Sequence, residues 1–152
     1  MVTRVLMVCL GNICRSPLAE GILKSKINSE SIFIDSAGTS GYHIGNKPDH
    51  RSIAVASKHG IDITNQRCRK FETKDFTEFD MIYVMDKSNF SNVIAKATNT
   101  RDSKKVKLLL DEIDLDINEV PDPYYDNENG FESVFHLIDK ACAAIAAKLN
   151  TK

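Results

Sequence analysis

Short runs of apolar residues alternate along the chain with longer segments in which apolar residues recur every three or four positions. The first run, at residues 5–8, has no polar break and contains two β-branched residues. Such a run is typical of a strand that is buried on both faces of a parallel sheet. Comparable runs predict three further strands, at residues 32–37, 81–85 and 106–110.

The segments between these runs predict helices. Ser16 offers a hydroxyl for a helix N-cap and Pro17 suits the first helical position, so we predict that a helix begins there. Because strands alternate with helices, we predict an α/β fold, a single domain over residues 1–152 with an open parallel sheet and helices on both faces. Further helices are predicted over residues 53–59, closed by Gly60, and over residues 88–97 and 131–149.

The composition favours one compact unit with a local functional site. With 152 residues, 42% of them hydrophobic, the chain can bury one core without disulfides or a metal. Its 20 basic and 21 acidic residues nearly cancel, which leaves no charge footprint for nucleic acid. No signal-peptide pattern and no bilayer-spanning apolar stretch is found. We therefore expect a soluble, cytoplasmic monomer without membrane insertion.

The cysteines and histidines indicate neither a disulfide framework nor a metal centre. The four cysteines lack the paired spacing of a secreted protein, so we expect free thiols. The four histidines stand at unrelated spacings, so we expect no structural zinc site. The residues concerned are Cys9, Cys14, Cys68, Cys142, His43, His50, His59 and His136.

Residues 9–16 join the first predicted strand to the first predicted helix. They follow the carboxyl end of the strand, where ligands of α/β proteins usually bind. Residues 10–15 contain no proline, so each offers a backbone N–H, and both Gly11 and Asn12 tolerate positive φ. The helix N terminus adds positive partial charge at the same place. The sequence therefore predicts a phosphate-binding loop. Its expected phosphate contacts are Leu10, Gly11, Asn12, Ile13, Cys14 and Ser16.

The reactive side chains of this loop favour phosphoryl transfer through a thiol over nucleotide binding. The loop lacks the Gly-x-x-x-x-Gly-Lys pattern of nucleotide-binding loops. Arg15 offers a planar fork that can clamp two phosphate oxygens. This guanidinium, the loop amides and the helix end favour the thiolate of Cys9, which we predict to be the nucleophile. Ser16 can donate a hydrogen bond to that thiolate, serve as a plain N-cap, or do both.

An oxygen that leaves phosphorus needs a proton, so a positioned carboxylic acid is expected on the leaving-group side. Asp122 lies between Pro121 and Pro123, which restrict the backbone around it, and we predict that it is the general acid. Tyr124 and Tyr125 follow at once and are expected to flank an aromatic substrate ring.

Two residues keep two interpretations each. Tyr42 forms the opposite wall of the aromatic site, or it packs against its own loop. Cys14 bridges to Cys9 on oxidation, which would protect the nucleophile and make the protein redox-sensitive, or it only packs within the loop.

Residues 8–17, Val-Cys-Leu-Gly-Asn-Ile-Cys-Arg-Ser-Pro, resemble the signature of the low-molecular-weight protein tyrosine phosphatase family. Residues 122–125, Asp-Pro-Tyr-Tyr, resemble its general-acid motif, and the two motifs occur in the family's order. The similarity covers nearly the whole chain. Intervening landmarks of the family are matched at residues 35–39, 41–42, 45–46, 48–49, 59–61, 75–76 and 85–89.

The resemblance implies a four-stranded parallel sheet, no metal or cofactor, and hydrolysis of phosphotyrosine in two steps through a phosphocysteine intermediate. The implied partners are proteins or peptides that carry phosphotyrosine, and inorganic phosphate and related oxyanions as inhibitors. Asn12 and Ser36 are implied to steady the phosphate-binding loop by hydrogen bonds. Ile13 is similar to the residue of tyrosine-directed relatives, whereas a threonine there resembles the arginine-phosphate enzymes.

One segment departs from the family. Residues 65–69, Asn-Gln-Arg-Cys-Arg, stand where relatives often carry His-x-Ala-Arg, with an extra residue before them, so the role of that histidine is not transferred. Cys68 also suggests an alternative activity, arsenate reduction coupled to thioredoxin, which needs two further cysteines and is disfavoured because none lies near Cys68. A pseudophosphatase that binds phosphotyrosine without turnover is disfavoured by the intact Cys9, Arg15 and Asp122.

Overall fold

The sheet carries the four predicted strands, and all of them are parallel. The computed structural model describes residues 2–28 and 30–150. The strand order in the sheet is β2-β1-β3-β4. The fourth strand is shorter than predicted, because residues 109 and 110 leave the sheet in a 3-10 helix, Leu109–Glu112. The strands are β1 Thr3–Cys9, β2 Ile32–Gly38, β3 Met81–Val84 and β4 Val106–Leu108.

Each predicted helix is present, and two short helices were not predicted, α3 and α5. The first helix begins earlier than predicted, since Cys14 occupies its N-cap position. The prediction that Ser16 is an N-cap is therefore wrong. Gly60 has a φ of +79° just after α2, as a closing glycine requires. The helices are α1 Arg15–Lys24, α2 His50–Lys58, α3 Asp75–Glu78, α4 Lys87–Ile94, α5 Thr100–Lys104 and α6 Glu128–Asn150.

The alternation of side chains along β1 divides the core into two parts. Val5 and Met7 pack on one face of the sheet with α1 and α6, whereas Leu6 and Val8 pack on the other face with α4 and the aromatic residues around α3. All four side chains are fully buried. Burial of each such side chain contributes about 1.5–3 kcal/mol. The central strand is thus held from both sides, which makes its carboxyl end a rigid platform.

The chain passes from β1 to β2 on one side and then crosses back past β1 to β3 on the other side, so the direction of the connections reverses at β1. Such a reversal of strand order opens a crevice at the carboxyl ends of the strands, and ligands of open parallel sheets bind there. Residues 9–16 therefore lie where the fold places a binding site. None of the helices within the described ranges combines the length and the apolar character that a membrane-spanning segment needs.

Candidate active site

The loop after β1 is shaped by Asn12, which has a φ of +57°. Of the two residues expected to tolerate this conformation, Asn12 adopts it and Gly11 does not. The Asn12 side chain donates hydrogen bonds to Ser16 Oγ at 2.8 Å and Ser36 Oγ at 3.0 Å. The side-chain oxygen of Asn12, Oδ1, accepts from the backbone N–H of Arg69 at 3.0 Å. Asn12 thereby fixes the loop to α1, to β2 and to the segment that precedes α3.

Ser36 continues this network below the loop. Its hydroxyl accepts from Asn12 and donates to Glu20 Oε1 on α1 at 2.6 Å. All three residues are buried. The contacts fit the expected supporting role of Asn12 and Ser36, and they add Glu20, for which no sequence pattern predicted a role.

The carbonyl oxygens of the loop are held by the surrounding scaffold. Leu10 O accepts from Ser40 N at 2.9 Å, and Ile13 O accepts from Asp49 N at 2.8 Å. Three more backbone carbonyl oxygens of the loop accept hydrogen bonds: Cys9 O from Thr39 N, Asn12 O from Cys68 Sγ, and Cys14 O from Ser52 Oγ.

These carbonyl bonds set the direction of the loop amides. In a trans peptide the N–H points opposite to the preceding C=O, so carbonyls that face the scaffold turn the next amides toward the loop centre. Within residues 2–28 and 30–150, the backbone N–H groups of four loop residues have no acceptor. Such converging donors, together with a helix N terminus, bind anions such as phosphate. The four residues are Leu10, Gly11, Ile13 and Cys14.

Cys9 lies at the start of this loop, and the residue is only 2% exposed. Its Sγ is 3.0 Å from Ser16 Oγ and accepts from Asn12 N at 3.3 Å. Both contacts stabilise a thiolate, because each can supply a hydrogen to the sulfur. Ser16 is thus placed for the thiolate contact that the sequence suggested, although it does not cap the helix.

Arg15 is buried and held in one orientation. Its Nη1 donates to Asp86 Oδ2 at 2.6 Å and to Val120 O at 2.9 Å, while Nη2 lies 3.6 Å from Asp122 Oδ2. The pKa of Arg15 is raised: burial alone would lower it, but the negative charges of Cys9 and Asp86 more than compensate. The guanidinium is therefore a fixed positive charge beside the loop.

Asp86 is a site residue that the sequence analysis did not select. Its Oδ2 holds Arg15, and its Oδ1 accepts from Asn89 N at 2.8 Å in a capping box at the start of α4. The signal was present, because an Asp three residues before an Asn, directly after a buried strand, indicates a helix start at the ligand-binding edge of the sheet.

A cavity of about 370 Å³ opens above the loop. Tyr42 and Tyr125 are 85% and 93% exposed at its rim, so both are free to contact a ligand. Asp122 accepts from Tyr124 N at 3.1 Å and is oriented by its own loop. The predicted residues that line this cavity are Cys9, Leu10, Gly11, Ile13, Cys14, Arg15, Tyr42, Asp122, Tyr124 and Tyr125.

Two further residues line the cavity without having been predicted, Ser40 and His43. The Ser40 hydroxyl is buried and has no hydrogen-bond partner among the described residues. His43 lies over the loop, where a Cβ added to Gly11 would come within 3.2 Å of its ring. Both lie within two residues of Tyr42 in the sequence, and the sequence predicts an aromatic wall from the Tyr42 ring alone.

Cys68 lies below the loop and outside the cavity, as do Asn12, Ser16 and Ser36. Its thiol donates to Asn12 O at 2.8 Å. Burial and the nearby charge of Cys9 raise the pKa of Cys68 to about 11. A thiol that stays protonated is a poor redox nucleophile, which disfavours the arsenate-reduction alternative.

Known proteins resemble this chain over nearly its full length. The family model of the low molecular weight phosphotyrosine protein phosphatases matches residues 4–152. The low molecular weight phosphotyrosine protein phosphatase of Gallus gallus is 41% identical over 152 residues, which cover 97% of this chain and 96% of the relative. The low molecular weight phosphotyrosine protein phosphatase of Homo sapiens is 38% identical over 149 residues, which cover 95% of this chain and 94% of the relative.

A solved structure agrees in fold as well as in sequence. The protein tyrosine phosphatase of Entamoeba histolytica has a TM-score of 0.92 and 35% identity, over 98% of this chain and 97% of that one. The two motifs, the sheet order and the loop geometry described above therefore have their counterpart in one family. The chain belongs to the low molecular weight phosphotyrosine protein phosphatase family.

Proposed function

We propose that this chain hydrolyses phosphotyrosine in proteins and peptides, with Cys9 as the nucleophile. The observation that carries the proposal is the position of the Cys9 thiol at the mouth of a loop whose free amides converge beside Arg15. That arrangement suits the three equatorial oxygens of a phosphoryl group in transfer, because every donor is in place before the reaction.

In the first step, Cys9 Sγ attacks phosphorus and the bond from phosphorus to the phenolic oxygen breaks. Asp122 gives its proton to the departing oxygen. Arg15 and the loop amides hold the charge that spreads over the phosphoryl oxygens. The products of this step are free tyrosine hydroxyl and a phosphocysteine at Cys9.

In the second step, water attacks the phosphocysteine and the sulfur leaves as a thiolate. Asp122, now ionised, accepts the proton of the attacking water. Ser16 stabilises the departing thiolate through the 3.0 Å contact between its hydroxyl and the sulfur. Inorganic phosphate is released, and no metal or cofactor takes part in either step.

The aromatic walls of the cavity favour a phenolic substrate. Tyr124 and Tyr125 lie edge to face with ring centroids 5.0 Å apart, next to the proposed acid. Ile13 and Leu10 line the cavity from the loop side. A ring that enters between these walls gains aromatic and apolar contact, while its phosphate reaches the loop. Phosphate and similar oxyanions alone are expected to bind as inhibitors.

The four cysteines are free, as expected for a protein of a reducing compartment such as the cytoplasm. Cys14 lines the cavity together with Cys9. We include in the proposal that a peroxide, itself reduced to water, oxidises the two thiols to a disulfide, which a thiol reductant reopens and which would protect the nucleophile from further oxidation.

The test is turnover of two aryl phosphates in metal-free buffer, one with a good leaving group and one with a poor one. Asp122→Ala should slow the poor leaving group by about 10²–10⁴-fold and the good one far less, since only the former needs the proton. Cys9→Ser should abolish turnover of both while retaining phosphate binding. Equal losses with Asp122→Ala would identify another acid, and turnover by Cys9→Ser would reject the nucleophile.

A further inference from the structure

Two histidines and a glutamate meet where the end of α2 lies against α6. His59 Nε2 is 2.7 Å from Glu132 Oε2, and His136 Nε2 is 2.9 Å from the same oxygen. The three ligand atoms lie within 4.8 Å of one another. The spacing of the histidines along the chain gave no sign of this cluster, because the fold joins residues that are 73 positions apart.

The cluster is held by two helices. His59 is the C-cap residue of α2, and its ring stacks on Phe135 with centroids 4.1 Å apart and planes inclined by 12°. Glu132 and His136 are one turn apart on α6, so their side chains share one face. The rings of His59 and His136 are nearly perpendicular, at 82°, and both present Nε2 to one carboxylate oxygen.

This donor set matches a transition-metal ion such as Zn²⁺. Two imidazole nitrogens and one carboxylate oxygen are the ligands of many Zn²⁺ sites, with water in the fourth position. Zinc bonds of about 2.0–2.2 Å place tetrahedral ligands roughly 3.4 Å apart. The nitrogen–oxygen separations of 2.7 and 2.9 Å must therefore open by only roughly 0.5–0.7 Å, which side-chain rotation can supply.

We propose that His59, Glu132 and His136 form a Zn²⁺ site that joins α2 to α6, with water completing the coordination. The side chains of His59 and Glu132 are 29% and 27% exposed and that of His136 is 58% exposed, so the ion can enter from solvent and keep a water ligand. None of the three residues lines the cavity above the phosphate-binding loop. The site is separate from the proposed catalytic residues.

Lys58 is the competitor of the metal. Its Nζ lies 2.9 Å from Glu132 Oε1, the second oxygen of the same carboxylate. The ammonium of Lys58 would repel a divalent ion bound to Glu132. Removal of the Lys58 charge should therefore strengthen zinc binding.

The experiment is calorimetric titration of Zn²⁺ into the full chain carrying Cys9→Ser, which removes the reactive thiol as a rival ligand. We expect one ion per chain. In the same background, His136→Gln should weaken binding by at least about tenfold, since even outer partners of metal ligands are worth about 10–100-fold. Lys58→Gln should strengthen binding. The matched control is His50→Gln, which removes an exposed histidine at the other end of α2 and should leave binding unchanged.

A second measurement separates this site from a thiol site. Zn²⁺ that binds only the folded state raises the melting temperature, and this rise should be present with His50→Gln and absent with His136→Gln. Co²⁺ in place of Zn²⁺ should give no thiolate charge-transfer absorption. Equal affinity of His136→Gln and His50→Gln, weaker binding by Lys58→Gln, or a thiolate band would each overturn the proposal.

Discussion

Ser16 illustrates how one hydroxyl can serve the second step of the reaction. Replacement by alanine removes the donor that lies 3.0 Å from Cys9 Sγ. A hydrogen bond to a charged group contributes about 1.5–3 kcal/mol. Because the sulfur is uncharged in the phosphocysteine and gains negative charge as it leaves, Ser16→Ala should lower kcat by about 10–100-fold.

Rapid mixing with an aryl phosphate measures which step Ser16 serves. Slower breakdown of phosphocysteine should enlarge the initial burst of released phenol relative to the steady rate. Ser52→Ala is the control, because the Ser52 hydroxyl is also buried beside the loop but donates to Cys14 O instead of the thiol. If the burst of Ser16→Ala were no larger than that of Ser52→Ala, Ser16 would not act on the departing thiolate.

Asp86 has two functions that a single substitution can separate. In Asp86→Asn, the side-chain oxygen can still cap α4, because Asn and Asp are equally good N-caps. The second atom becomes an amide that cannot accept from Arg15 Nη1. We expect kcat/KM to fall by about 10–100-fold and vanadate inhibition to weaken, both measured with an aryl phosphate. Asp86→Ala, which removes the N-cap as well, should have an unfolding free energy about 1 kcal/mol lower than that of Asp86→Asn.

The control for Asp86 is Asn99→Ala, which removes an N-cap of the same kind from α5. That variant should lose stability in denaturant titration and keep its activity. If Asp86→Asn retained full kcat/KM, Arg15 would be oriented by Val120 and Asp122 alone.

The residues of the site differ in how readily the sequence predicts them. Cys9, Arg15 and Asp122 stand in short segments whose local chemistry is unusual, so spacing and neighbours suffice to select them. Asp86 contacts Arg15 across 71 positions, and no local pattern encodes which distant side chain it will hold. His43 likewise reaches the cavity only because β2 places its loop over the phosphate-binding loop.

At the scale of elements, the end of β2 approaches the phosphate-binding loop so closely that only glycine fits. A Cβ on Gly38 would lie 2.8 Å from Leu10 O and 2.9 Å from Gly11 C. These are backbone atoms, so the loop itself must move to make room. Gly38→Ala should cost about 1–3 kcal/mol of unfolding free energy and reduce kcat/KM together with phosphate affinity.

Gly41→Ala is the matched control for Gly38. A Cβ there would meet the end of the Ile44 side chain at 3.3 Å, and that side chain can rotate away. Its unfolding free energy and its kcat/KM should stay near those of the parent protein. A Gly38→Ala variant with unchanged phosphate affinity would show that the loop geometry does not depend on β2.

The elements that periodicity predicted are those long enough to show it. Helix α6 has 23 residues with an apolar face, whereas α3 and α5 have four and five residues, too few for a helical repeat. The apolar run at residues 106–110 predicted a strand of five residues. Pairing stops at Leu108, because β3 offers partners only from Ile82 to Val84, and the run then turns onto the sheet face.

At the scale of the whole molecule, alternation of strands and helices predicted a parallel sheet but not its order. The order places β1 beside both β2 and β3, and this decides which distant residues surround the loop. Ser36 comes from β2 and Asp86 follows β3. Order depends on how apolar faces pack across the molecule, which a linear pattern does not contain.

Glu20 connects the site to the stability of the molecule. It is 4% exposed on α1, accepts from Ser36 Oγ, and pairs with Lys24 at the surface. Burial raises the pKa of Glu20, and the hydrogen bonds from Lys24 and Ser36 only partly oppose this. The folded state therefore holds this proton more tightly than the unfolded state, in which the pKa is about 4.3.

The sign of the pH dependence follows from that difference. Between the unfolded-state pKa and the higher folded-state pKa, the folded protein binds more protons, so the contribution of Glu20 to stability falls as the pH rises. In Glu20→Gln the side-chain oxygen still accepts from Ser36, and no buried charge remains. We expect the variant to be at least as stable as the parent at pH 7, and its stability to vary less between pH 4 and 7. Chemical denaturation across this range measures both quantities, with the exposed Glu72→Gln as control. A variant less stable than the parent at pH 7, with an unchanged pH slope, would mean that the ion pair with Lys24 outweighs the cost of burying the carboxylate.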